Sequence, residues 1–148
     1  MGIRVQESPF DAGIELNTFA ELTQGAGALV TFTGIVRSSP DEPLVTLTLE
    51  CYPELALAQI GAIVAEARAR FDLIDEMVIH RYGALRPGEA IMQVMTLAAH
   101  RQAAFDAAQF LMDYLKTDAP FWKKEATAGG ERWVDATSAD DRAKARWS

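Results

Sequence analysis

Between Leu44 and Phe71 the hydrophobic period changes once, at Pro53, and that switch constrains the fold more than any other feature of the chain. Leu44 to Tyr52 alternates as a strand does, with Val45, Leu47 and Leu49 on one face and Thr46, Thr48 and Glu50 on the other. From Glu54 to Phe71 apolar residues recur instead at Leu57, Ile60, Val64, Ala67 and Phe71, the stripe of an amphipathic helix. Pro53 stands at its first turn, where a missing backbone donor is harmless.

The same two periods organise the rest. Ile3 to Glu7 reads as a short strand. Ser8-Pro9-Phe10-Asp11 reads as a helix start with Ser8 as cap, followed by a helix or turn to about Leu22. Ala28 to Arg37 has the β-branched and aromatic content of a central strand, and Gly34 near its end predicts either a bulge or a close approach of the backbone to another group, after which Arg37 emerges at the strand's end. The polar turn Ser38 to Pro43 then predicts a hairpin with the strand at Leu44. Met77 to Tyr82 and Ala90 to Ala98 are two further strands, separated by a Pro87-Gly88 turn. After His100-Arg101 a helix is predicted, with Phe105, Ala108, Met112 and Leu115 on its apolar face, delivering Lys116. Arg132 to Asp135 reads as a last short strand, and Asp140 to Ser148 as a charged tail with Trp147 near its tip. This order predicts one α+β domain over residues 1–148, with a mostly antiparallel sheet and helices packed to one side.

The formal charge of -7 and pI near 4.8 argue against a general nucleic-acid or acidic-membrane surface, so any anion site must be local. Met1 to Glu7 has no apolar core of signal-peptide length, and no run approaches the roughly 18 apolar residues of a membrane span. A soluble, cytoplasmic protein is the expectation. Cys51 is the only cysteine and there are two histidines, which leaves no structural zinc spacing. Cys51 has no cationic sequence neighbour to activate it and reads as a small half-buried hydrophobe. No phosphate-binding loop, dinucleotide glycine fingerprint or nucleophile elbow is present.

Cations and aromatics concentrate in Asp113 to Ala126, D-Y-L-K-T-D-A-P-F-W-K-K-E-A, which holds three of the four lysines: Lys116, Lys123 and Lys124. Pro120 breaks the helix between them, so Lys116 ends one element while Phe121, Trp122 and the lysine pair start on a new path. Such a fold-back can surround an anion; equally, it can be a helix C-terminus followed by a solvated loop, and on these residues alone both readings stand. His100-Arg101 at a strand-to-helix junction offers a second anion grip, or an ordinary capping region. His80, inside a strand, reads as structural. Among the carboxylates Glu50, Asp113 and Glu125, only Glu125, beside Lys124, stands out as an acid-base partner.

Five runs together, F-T-G-I-V-R (Phe32 to Arg37), L-E-C-Y-P (Leu49 to Pro53), I-H-R-Y-G (Ile79 to Gly83), A-H-R (Ala99 to Arg101) and D-Y-L-K-T-D-A-P-F-W-K-K-E (Asp113 to Glu125), resemble the large, catalytic subunit of molybdopterin synthase, over nearly the whole chain. The resemblance implies an α/β hammerhead fold and a sulfur transfer that installs the two dithiolene sulfurs of molybdopterin on cyclic pyranopterin monophosphate, a substrate and not a cofactor. It implies a small ubiquitin-like partner carrying sulfur as a C-terminal thiocarboxylate, and a homodimer at the core of a heterotetramer. Carried over by motif, Lys116 and Lys123 are the expected catalytic lysines, in a site whose arginines would lower their pKa. Ile35, Val36, Arg37, His100, Arg101, Lys124 and Glu125 join them as expected substrate-binding residues. Two departures from the family pattern are Cys51 and Thr137, the latter where some relatives carry an arginine. A noncatalytic module that captures a ubiquitin-like tail is the alternative from another class; a phosphate-ester hydrolase is a third, weakened by the lack of metal-ligand spacing or a nucleophile.

Overall fold

The computed structural model describes residues 2–22, 25–118, 120–134 and 138–147. Two four-stranded sheets form its frame. The first has the order β1-β4-β6-β2, from Gly2–Gln6, Asp75–Arg81, Ala90–Ala98 and Ala28–Ile35, with β1 parallel to β4 and the other pairs antiparallel. The second, β5-β3-β7-β8, is antiparallel throughout and is built from Gly83–Leu85, Leu44–Glu50, Trp122–Thr127 and Gly130–Val134. The helices are α1 (Ala12–Phe19), α2 (Pro53–Phe71), α3 (Arg101–Leu115) and α4 (Ser138–Ala145). The α+β class and the mainly antiparallel pairing read from the sequence are those of the structure.

Strand alternation sends Val78, Val94 and Ala98 into the core beneath α2 and α3, where they meet Ile60, Val64 and Phe110. Met77, Ile79, Met95 and Leu97 point to the opposite face and are covered by Phe19 of α1. The helices therefore lie on both faces of the first sheet, because β4 and β6 are apolar on both sides and each side requires a cover. Pro53 is the first residue of α2, as its sequence position required. The cap of α1 is Asp11 and not Ser8: its Oδ1 accepts from the Ile14 backbone N–H at 3.0 Å.

Other expectations give way to pairing. β2 is an edge strand of the first sheet and forms no hairpin with β3, which lies in the second. Of the two readings of Gly34 the bulge occurs, as a register shift at Gly34/Ile35. Just beyond it, Val36 is buried with Leu47, Leu49 and Leu85, and bonds Glu89 O and Gly88 N through its backbone. The chain thus leaves the first sheet before β3 begins. Phe105 and Leu57 lie outside the buried helical stripes, 58% and 40% exposed, while Ala104 and Ile63 take inward positions. Gly27 marks a close backbone approach: a Cβ there would sit 2.2 Å from the Ala99 carbonyl oxygen.

The charged tail is anchored. Trp147 Nε1 donates to Asp113 Oδ2 at 2.6 Å, the indole packs edge-on against Phe71 and Phe110, and Arg70 donates to its carbonyl at 2.9 Å. Lys144 reaches Asp118 at 2.6 Å, so α4 is tied to the turn that follows α3.

Candidate active site

That turn begins at Lys116, which caps α3 with its N–H on Met112 O. Thr117 and Asp118 both fold back to Tyr114 O, and past Pro120 the chain enters β7. β7 was not anticipated as a strand; it forms because Trp122–Thr127 is held between β3 and β8. Alternation along it separates the lysine pair. Lys123 is in register with Leu49 and Val134, and all three line a cavity of about 530 Å³ between the two sheets. Lys124 is in register with Thr48 and Trp133, lies over the Trp133 ring at 5.2 Å and pairs with Glu131 at 3.5 Å.

Lys116 and Lys123 share this cavity with Ile35, Phe121, His80 and Asp140. Burial holds the Lys123 ammonium pKa below its usual value, and the Lys116 charge pushes the same way, against Glu125 and Asp140. The lowering thus comes from dehydration and a second lysine, not from arginines.

The remaining expected residues are dispersed. Val36 is 3% exposed and belongs to the core of the second sheet; Arg37 follows it on the surface. Glu125 pairs with Arg132 at 3.3 Å. His100 is the N-cap residue of α3, without a side-chain capping bond, and both it and Arg101 are exposed. Fifteen helical steps separate Arg101 from Lys116, about 22 Å at 1.5 Å per residue, so within one chain they occupy opposite ends of α3. Thr137 lies outside the described residues.

Among the lining residues not read as site residues from sequence, two are titratable. Asp140 comes from α4, which the Trp147 anchor and the Lys144–Asp118 pair place here. His80, expected to be a satisfied strand histidine, is 6% exposed, its Nδ1 lies 2.8 Å from Arg81 O, and its ring stacks on Phe121 at 3.8 Å and 13°. The sequence signal was its alternation with Val78, which aims both at the α3 side. Burial holds the His80 pKa down at about 4, with Lys116 and Lys123 adding to the effect and the Arg81 carbonyl opposing it.

The unfolded chain therefore takes up a proton at His80 before the folded one does. Stability is unaffected by this group above pH 6.5 and falls as pH drops from there towards 4, by about 3 kcal/mol in total. Melting temperatures at pH 7 and pH 4.5 should show a smaller drop in His80→Gln than in the unsubstituted protein.

Cys51 is half-buried, and burial raises its thiol pKa, the opposite of an activated nucleophile. Among the described residues no cluster of His, Cys, Asp and Glu could hold a metal ion, and no helix is long and apolar enough to cross a membrane.

The family profile described as MoaE protein matches residues 5–118. A molybdopterin synthase catalytic subunit from Cereibacter sphaeroides is 55% identical over 147 residues, covering 99% of this chain and 100% of the relative. The protein of that name from Escherichia coli is 49% identical over 146 residues, 98% of this chain and 97% of its own. The solved molybdopterin biosynthesis MoaE protein from Burkholderia ambifaria superposes with a TM-score of 0.83 at 46% identity, covering 99% of this chain and 97% of that one.

Proposed function

The chain belongs to the MoaE protein family, that of molybdopterin synthase catalytic subunits, and from that premise we propose that it transfers sulfur to cyclic pyranopterin monophosphate to give molybdopterin. The observation that carries this reading is the convergence of Lys116 and Lys123 on one cavity from separate elements, in a chain whose net charge is -7. Two ammonium groups gathered against the overall field suit a phosphate and a thiocarboxylate arriving together. The thiocarboxylate is the C-terminus of a small ubiquitin-like subunit, whose tail enters the cavity, delivers its one sulfur and leaves as a carboxylate after water cleaves the acyl–sulfur bond, so that two tails serve each substrate.

Lys123, with its pKa lowered by burial, is the better proton-transfer group; Lys116, at the helix end, holds the anion. Ile35 forms apolar wall and Val36 fixes the strand end behind it; Arg37, exposed and next in the chain, is a further cation for the incoming anion. Lys124 and Glu125 flank Lys123 on β7: Glu125 acts on the Lys123 ammonium through its charge, and Lys124 turns to Trp133 and Glu131. His100 and Arg101 are too far along α3 to serve their own chain's cavity, and reach the cavity of a second copy in a homodimer.

The purified chain, given thiocarboxylated small subunit and cyclic pyranopterin monophosphate, should form the dithiolene product. Capture of the tail without product would instead make the chain a binding module. Cys51→Ser should leave turnover unchanged, because the sulfur travels on the partner's C-terminus; loss of turnover in the folded variant would point to a cysteine relay.

A further inference from the structure

His80 has one ring nitrogen that its structural role does not use. Nδ1 faces the Arg81 carbonyl at 2.8 Å, and a carbonyl only accepts, so the proton of the neutral ring sits on Nδ1 and Nε2 carries a lone pair. Nε2 has no hydrogen-bond partner among the described residues. It is also not one of the sealed, unpartnered buried side-chain atoms, which are Glu76 Oε2 and Gln93 Oε1. The ring lines the cavity, so the lone pair opens into it. The orientation is fixed twice over, by the Arg81 bond and by the flat stack on Phe121.

The cavity offers few such groups. Lys116 and Lys123 only donate, and Trp122 and Trp133 have only indole N–H groups to offer; besides His80 the neutral side-chain acceptors of the lining are the Thr33 and Thr117 hydroxyls, weaker acceptors than an imidazole nitrogen, the second already oriented by donating to Asp113 O and Tyr114 O. Asp140 accepts, but as a charged group whose field already acts on Lys123. A reduced pterin ring presents N–H donors along its edge and needs an acceptor that does not compete with the phosphate for the lysines.

We propose that His80 is a substrate-binding residue, whose Nε2 accepts a hydrogen bond from a ring N–H of the pyranopterin while the lysines take its phosphate and the incoming thiocarboxylate. Burial keeps the imidazole uncharged, so the acceptor persists beside two ammonium groups throughout the neutral range. The assignment rests on the sulfur-transfer reading for the identity of the ligand, but its test is a binding measurement that requires no turnover.

Cyclic pyranopterin monophosphate is titrated calorimetrically into the unsubstituted protein, His80→Phe and His80→Gln, and KM and kcat are measured with the thiocarboxylated subunit. His80→Phe keeps the stack and loses the lone pair, and should bind about 10-fold to 100-fold more weakly, with KM raised and kcat within about threefold. His80→Gln, which can still donate to Arg81 O and accept from the ligand, should recover most of the affinity. Unchanged affinity in folded His80→Phe overturns the proposal, as does failure of the unsubstituted protein to bind the compound. If His80→Phe does not fold, His80→Gln decides: affinity lost in that folded variant counts against an acceptor role. Binding without dithiolene formation by the unsubstituted protein sinks the sulfur-transfer reading and leaves the His80 contact standing.

Discussion

Alanine at Lys116 or at Lys123 should lower turnover at least about 100-fold with the thiocarboxylated partner, while Lys144→Ala leaves it unchanged. Removing one cation from a partly dehydrated anion site loses a charge-assisted contact worth roughly 1.5–3 kcal/mol, and more where that group also moves a proton in the transition state. The two variants should differ in stability. The buried Lys123 ammonium has a lowered pKa, meaning that its charged form is disfavoured in the fold, so Lys123→Ala should melt no lower than the parent despite its lost activity. Lys116 caps α3 through its backbone, which alanine retains. Lys144 loses its ion pair with Asp118 and its contact with the Tyr114 ring, the pair worth about 1 kcal/mol or less at a site open to water. Turnover in single-cycle assays, with melting curves to establish folding, checks all three. Wild-type rates from folded Lys116→Ala and Lys123→Ala would remove both lysines from the chemistry.

The second large effect is a recovery. Arg101→Ala and Lys116→Ala should each be nearly inactive alone, yet co-expression with different tags should restore about a quarter of the parent activity, because random pairing makes half the dimers mixed and each mixed dimer holds one intact site of two. The roughly 22 Å between Arg101 and Lys116 along α3 motivates the experiment. If both residues served one chain's cavity, every mixed dimer would carry a lesion in each site and nothing would be restored. Purifying the doubly tagged species and assaying it separates these outcomes.

Local chemistry made much of this chain legible. The change of period at Pro53, the helix that ends at Lys116, the break at Pro120 and the bulge at Gly34 are properties of short segments, set by backbone sterics and by which face is apolar. The gathering of three lysines in one stretch could be read in the same way. What could not be read was pairing. Ala28–Ile35 and Leu44–Glu50 are both plausible hairpin partners by composition, but Val36 is buried in the second sheet's core and draws the chain away between them. Trp122–Thr127, with two lysines and a glutamate, has little strand character of its own and becomes β7 only between β3 and β8.

The sequence by itself determined that Lys116 and Lys123 belong to different elements and that a helix of known length follows His100-Arg101. Tertiary structure alone decided that Lys123 faces the cavity while Lys124 faces away, that His80 and Asp140 stand beside it, and that Arg101 does not. The physical reason is that a strand shows opposite faces at successive residues, and which face is inward depends on register with strands distant in sequence. Register here is fixed by burying Leu47 and Leu49 against Val36 and Leu85, contacts that no local window of the sequence contains.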